Sequence, residues 1–289
     1  MGGGSWTKDA YVSYSKTMCR SVSLDGDIKG DYSAQEMFKQ RSIAEELKPY
    51  KVIRECVDSE EHKNTIPVIL ALDVTGSMGQ SAVEVAKRLN TIMTKLYAEL
   101  TDIEFMIMAI GDLAYDKFPI QASQFESDIR IAEQLDKVYF EGGGGGNSYE
   151  SYTAAWLFGS RHTKLDCWKR GKKGLIITIG DEEINPYLPK FALNKTLTDE
   201  IQTDIETSKL YDEVKEKYNL FHLNINDTYN GSFNETYNVK SFTKIIGEQN
   251  VKSISVNELV DTLVNIIKDF AYTNNNNIIF ENSESTISW

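Results

Sequence analysis

From Ile66 onward, strand-like and helix-like segments alternate, which predicts an α/β fold. The expected form is Rossmann-like: a mostly parallel central sheet, one antiparallel edge strand, and helices on both faces. Two further observations sharpen it. The runs 66–72, 103–111 and 174–180 are continuously apolar, as strands buried on both faces are. The run 117–122 contains Pro119, which removes a ladder donor and suits an edge.

Residues 1–64 read as an N-terminal extension, polar and partly irregular, with a helical candidate at 33–48 and a short strand within 51–64. The α/β domain spans 65–272. Its first strand, "IPVILAL" (66–72), leads to a helix at 81–100, where Ala82, Val85, Ala86, Leu89, Ile92, Met93, Leu96 and Leu100 follow helical spacing. Strand 103–111 and the edge strand come next, then helices at 127–138 and 148–161, then the strand "GLIITIG" (174–180). A charged amphipathic helix is expected at 197–218, capped by Thr198. Strands 219–225 and 252–256 and a helix at 257–272, capped by Asn257, close the domain. Between them, a stretch with three glycosylation sequons at Asn226, Asn230 and Asn234 reads as a polar loop. Residues 273–289 form an Asn-rich tail, expected to be mobile until something binds it.

Bulk properties exclude several classes. A net charge of −12 over 289 residues argues against nucleic acid, whose binders present basic surfaces. No stretch approaches the ~18 apolar residues of a membrane span, and the start lacks the apolar core of a signal peptide. Cys19, Cys56 and Cys167 are odd in number and widely spaced, so they read as reduced thiols in a cytoplasm. His62, His162 and His222 show no paired metal spacing, and the five-glycine run lacks the Gly-Lys-Ser/Thr of a phosphate loop.

In an open parallel sheet, ligands bind at the carboxyl ends of the strands, so the polar residues there matter most. Strand 66–72 runs into Asp73, Thr75 and Ser77, which alternate, so an extended loop turns all three side chains to one point. Strand 174–180 ends in Asp181, with Glu182 and Glu183 behind it. A third loop, "EGGGGGNSYES" (141–151), leads toward a helix. These loops offer carboxylate and hydroxyl oxygens and no thiolate, a donor set for a hard cation, Mg2+ first, with Mn2+ or Ca2+ as alternatives. Capping competes with ligation at Thr75, Ser77 and the pair Asn147 and Glu150. Asp112 and Asp116, after the second strand, are either near the site or solvated.

"DVTGS" resembles the Asp-x-Ser/Thr-x-Ser motif of von Willebrand factor A domains, "TIGDEE" their Asp loop, and "GGGGGNSYES" the Gly-rich third loop of many bacterial members. The resemblance covers about 65–272 and implies a metal-ion-dependent adhesion site. It implies Asp73, Thr75 and Ser77 as direct or water-bridged ligands, Asp181 as the distal carboxylate, and Ser148 at the position of the third-loop threonine. Here Asn147 replaces the family's acidic residue and Tyr149 its proline, which leaves the third ligand among Asn147, Ser148 and Glu150.

The expectation is a cytoplasmic, magnesium-dependent protein-interaction module, not an enzyme, with a partner's Asp or Glu filling the metal's open position. The family implies scaffolds and adaptors for ring-forming ATPases, and a bacterial or phage host. The alternative is a phosphohydrolase resembling the haloacid dehalogenase superfamily, with Asp73 as nucleophile and Asp181 as metal ligand. Against it, Thr75 stands where that chemistry needs a carboxylic acid. A metal-free scaffold is the third alternative.

Overall fold

The computed structural model describes residues 4–143, 149–197 and 200–281, with side chains up to residue 274. Six strands form the central sheet: β1 Ile66–Asp73, β2 Ile103–Ile110, β3 Ile120–Ala122, β4 Gly174–Gly180, β5 Tyr218–Ile225 and β6 Val251–Ile254. Their order is β6-β5-β4-β1-β2-β3. All pairs are parallel except β3, which runs antiparallel to β2 at the edge, just past Pro119. β1 is central, with Leu70 between Ile107 of β2 and Ile177 of β4.

Successive β1 side chains enter different cores, which is why its sequence is apolar without alternation. Val68, Leu70 and Leu72 pack on one face; Ile69 and Ala71 pack on the other. The principal helices are α1 Lys8–Thr17, α2 Gly79–Lys87, α3 Leu89–Tyr97, α4 Arg130–Leu135, α5 Thr153–Arg161, α6 Lys190–Thr196, α7 Thr207–Val214, α8 Tyr229–Ile246 and α9 Leu259–Glu281. Residues of α1 to α4 and α9 fill the first core, and those of α5 to α8 the second. The fold is therefore α/β, with helices on both faces and a single antiparallel edge strand in the central sheet.

The N-terminal segment is built into the first core. Trp6, Tyr11, Ile28, Met37, Phe38 and Leu47 are buried there. The Tyr11 hydroxyl donates to Ala86 O (3.2 Å), and Arg20 pairs with Asp136 at 2.8 Å, both side chains buried. This segment also explains why the helix expected at 81–100 is two helices. Ile28 N–H donates to Lys87 O, and Asp27 accepts from the Thr91 N–H and hydroxyl, capping α3 from outside. Arg88, at the break, leaves helical geometry with φ −97° and ψ 9°. The eight apolar positions of the expected stripe are all buried.

Other elements differ from expectation for identifiable reasons. The helix at 33–48 is one turn, Ala34–Met37, capped by Ser33 and Glu36; Phe38 then goes extended to stack on Phe140. The short strand expected within 51–64 is Arg54–Cys56, paired with Thr163–Leu165 outside the central sheet. The helix at 148–161 begins at Thr153, because Tyr149–Glu150 instead pairs parallel with Glu183–Ile184. Of 197–218 only α7 is helical, and Thr198 lies outside the described residues. The "polar loop" of sequons is the entry to α8, capped by Thr228, whose hydroxyl accepts from Gly231 N–H. The cap before α9 is Ser255 in a capping box with Glu258, not Asn257, and α9 continues to Glu281.

Candidate metal centre

Asp73 is the last residue of β1 and Asp181 the first after β4, and the two strands are neighbours. Parallel pairing thus brings both carboxylates to one end of the sheet, and both are fully buried. Thr75 lies extended after the turn, and its N–H (2.8 Å) and hydroxyl (2.6 Å) both donate to Asp73 Oδ1. Ser77 Oγ donates to Asp181 Oδ1 at 3.0 Å. The structure therefore brings Asp73, Thr75, Ser77 and Asp181 together. Ser148 and Asn147 lie outside the described residues.

The third loop is nonetheless tied to the first. Gly76 N–H donates to Gly143 O (2.8 Å) and Gly142 N–H to Val74 O (3.4 Å). Gly142 has φ +63°, and a Cβ at Gly76 would sit 3.3 Å from the Gly142 carbonyl oxygen.

Sequence reasoning missed two residues. Tyr152, fully buried, donates its hydroxyl to Asp73 Oδ2 (2.8 Å) and accepts from Glu182 N–H (3.3 Å). Its phenol occupies the space above Gly180, where a Cβ would overlap it. Thr228 donates to Asp181 Oδ2 at 2.6 Å while its oxygen caps α8. Neither belongs to a spacing pattern with Asp73 or Asp181. The only available signals were a glycine ending a buried strand, and a Thr three residues after strand β5.

Around this pair the charge is one-sided. Burial, then the Asp181 charge, raises the Asp73 carboxyl, against the hydrogen bonds from Thr75 and Tyr152. Burial also raises Asp181, against those from Thr228 and Ser77. Glu182 rises to about 7 through burial and the nearby Asp181 and Asp112, although Asn230 Nδ2 donates to it at 2.8 Å. Asp116 rises to about 6 through burial and Glu141. It accepts from Asp112 N–H, and Asp112 accepts from Ala114 N–H, so this loop is turned partly upon itself. No lysine or arginine figures among the main influences on Asp73, Asp181 or Glu182.

The donor set fits a hard cation. Each hydroxyl gives its proton to a carboxylate, which leaves its oxygen lone pairs for a metal, and uncompensated buried carboxylates favour a positive charge. Among the described residues no three His, Cys, Asp or Glu side chains form a ready-made cage. A cation here would therefore depend on the hydroxyls of Thr75 and Ser77 as well as on acids.

No family model matches the chain, and no curated protein does. Among solved structures the fold is similar to the pilus adhesin SpaC from Lactobacillus rhamnosus GG. Two structures of it, one in an open conformation, match at 13% and 14% identity with TM-score 0.50. Each match covers 78% of this chain but only 32% and 31% of the adhesin, so the chain spans about a third of that protein. The proximal thread matrix protein 1 of the mussel byssus matches at 13% identity, TM-score 0.47, over 74% of this chain and 49% of its own. At 13% and 14% identity the likeness to the adhesin is one of fold.

Proposed function

We propose that the chain is a divalent-cation-dependent protein-interaction module of von Willebrand factor A type, without catalytic activity. Mg2+ would be held by Asp73, Thr75 and Ser77, with Asp181 acting through the Ser77 hydroxyl, and Ser148 or a neighbour completing the set. The observation that carries this reading is the Ser77 Oγ to Asp181 Oδ1 contact of 3.0 Å, which joins the two motif loops at one point among unneutralised carboxylates. A bound cation would supply an electrophilic site for a carboxylate from a protein partner. A ring-forming ATPase is the partner class the resemblance suggests, and a bacterial or phage host fits the glycine loop.

Two features support an interaction role. Tyr229, Phe233 and Tyr237 lie one turn apart on α8 and are 66–76% exposed, an aromatic row beginning beside Thr228. Three free cysteines fit a cytoplasmic setting. The phosphohydrolase alternative needs an ionised, accessible nucleophile. Asp73 is instead buried, with both oxygens accepting hydrogen bonds.

The test is calorimetric titration of Mn2+ and Mg2+ into the wild type and Asp73→Ala. Binding confined to the wild type is expected, and equal heats in the two proteins would remove the assignment. Phosphomonoester turnover abolished by Asp73→Asn would replace it with the hydrolase.

A further inference from the structure

Glu150 is one of the three residues among which the resemblance leaves the third-loop ligand, and the only carboxylate of the three. It lies on the short strand Tyr149–Glu150, held in place by parallel pairing to Glu183–Ile184 just beyond Asp181. The strand is anchored on its other side as well: Ser151 Oγ accepts from Leu113 N–H at 3.0 Å, next to Asp112. Two residues on, Tyr152 reaches Asp73. Glu150 is thus pinned between the three acidic strand ends. It is 2% exposed, yet among the described residues its Oε2 has no hydrogen-bond partner.

A buried carboxylate oxygen without a donor loses hydration and gains no protein partner in return. Capping does not account for it, since α5 begins only at Thr153. Burial pushes the Glu150 carboxyl far up, followed by the charges of Asp73, Glu182, Asp116 and Asp112. Its field partners are therefore the site's own acids, with no lysine or arginine among them.

Resting on the cation-dependent reading above, we propose that Glu150 is the carboxylate ligand contributed by the glycine loop, and that it and Asp73 supply the charge in contact with the cation. Asp181 then acts through the Ser77 hydroxyl, whose proton already points at it. The consequence is a cation that its own chain neutralises more fully than two hydroxyls and one carboxylate would. Such a site binds the metal tightly by itself and draws a partner's carboxylate less strongly.

The test uses the full chain with Mn2+ as the probe, read by calorimetry and by water-proton relaxation. Glu150→Gln keeps the volume and removes the charge, and should bind Mn2+ at least tenfold more weakly. Bound Mn2+ should also show higher relaxivity, as water takes the vacated position. Asp212→Asn, at an exposed carboxylate of α7 paired with Lys215, should leave both readouts unchanged. Wild-type affinity and relaxivity in Glu150→Gln, alongside loss of binding in Asp73→Ala, would overturn the role of Glu150 and leave the metal site standing. Absence of Mn2+ binding by the wild type would remove both. Should Glu150→Gln misfold, Glu150→Asp, which retains the charge on a shorter arm, should bind with altered relaxivity; unaltered relaxivity would count against ligation.

Discussion

Ser77 and Asp181 are 104 residues apart in the chain and 3.0 Å apart in space, hydroxyl to carboxylate. The contact exists because β1 and β4 are adjacent and parallel, so the loops after both strands leave from the same edge. A serine that had only to cap the following helix would accept from a free N–H of its first turn. Neither the turn Gly76–Met78 nor α2 receives a side-chain cap.

The carboxylates predict how stability changes with pH when no metal is present. Glu182, ordinarily near 4.5, sits at about 7, and Asp73 is raised as well. A raised folded-state value contributes stability that is fully present below the unfolded value and is lost as pH rises through the folded one. In the metal-free protein this contribution should therefore fall away progressively from about pH 4.5 up to about pH 8. Saturating Mg2+ should flatten this slope, because it favours the ionised acids. Equal slopes with and without Mg2+ in thermal scans would contradict the site.

His222 predicts the opposite behaviour on the acid side. It is fully buried, stacks on Phe242 at 3.4 Å and hydrogen-bonds Thr178 through Nδ1 (2.9 Å). Burial lowers it from 6.5 to about 3. The unfolded chain takes up its proton below about 6.5 while the folded chain does not, so stability present above that pH is lost as pH falls toward 3. At roughly 1.4 kcal/mol per unit the loss is bounded at about 5 kcal/mol. His222→Leu should remove that component, and acid denaturation followed by circular dichroism should show a lower midpoint for the variant than for the wild type.

Gly180 predicts a steric dependence. Its missing side chain is the space through which Tyr152 reaches Asp73. Gly180→Ala should cost about 2–4 kcal/mol, since the ring cannot yield without breaking its bonds to Asp73 Oδ2 and the Glu182 N–H. Tyr152→Phe should cost about 1–3 kcal/mol and retain the fold. Urea denaturation ranks the two; a Gly180→Ala protein as stable as the wild type would show that the ring has room elsewhere.

Much of the fold was legible because strands buried on both faces leave a one-dimensional trace. The runs at 66–72, 103–111 and 174–180 needed no partner to be recognised. The break at Arg88 left no such trace, because it depends on Asp27 and Ile28, some sixty residues earlier. α8 was hidden for a related reason. Among its residues only Gly231, Asn238, Phe242 and Ile246 are buried, a stripe too thin and polar to outweigh the Asn and Gly of its first turns. At the site, Asp73, Thr75, Ser77 and Asp181 were visible as a spaced motif and a strand end. Tyr152 and Thr228 act through tertiary contacts that no spacing rule encodes.

The N-terminal segment should prove inseparable from the domain. The buried Arg20–Asp136 pair spans 2.8 Å, and Asp136 also accepts from the Tyr14 hydroxyl. Arg20→Ala would leave a buried carboxylate with one neutral donor, a loss of about 3 kcal/mol. A chain beginning at residue 65 would also expose the apolar surface now covered by Trp6, Tyr11 and Met37. It should be recovered mainly as aggregate, and a monomeric, cooperatively melting 65–289 fragment would show the segment to be dispensable.

The last prediction concerns Ser77, where ligation and partner binding meet. In the structure its hydroxyl gives its proton to Asp181 and leaves its lone pairs free, the arrangement a neutral oxygen ligand needs. Ser77→Ala removes one neutral ligand and also the link through which the Asp181 charge is relayed. Ser77 is only part-buried, so the substitution opens no core cavity and should change metal-free stability by less than about 1 kcal/mol. Mn2+ affinity should fall about tenfold or more, since an oriented oxygen and its carboxylate partner are lost together. A protein partner recovered on the immobilised chain should dissociate in EDTA, return with Mg2+, and bind Ser77→Ala weakly at equal Mg2+. The decisive measurement is the same capture repeated at Mg2+ high enough to saturate the variant. Recovery to wild-type levels would mean that Ser77 acts on the partner only through the metal. A partner retained in EDTA and by Asp73→Ala would place the interaction surface elsewhere on the chain and leave these strand ends a structural role.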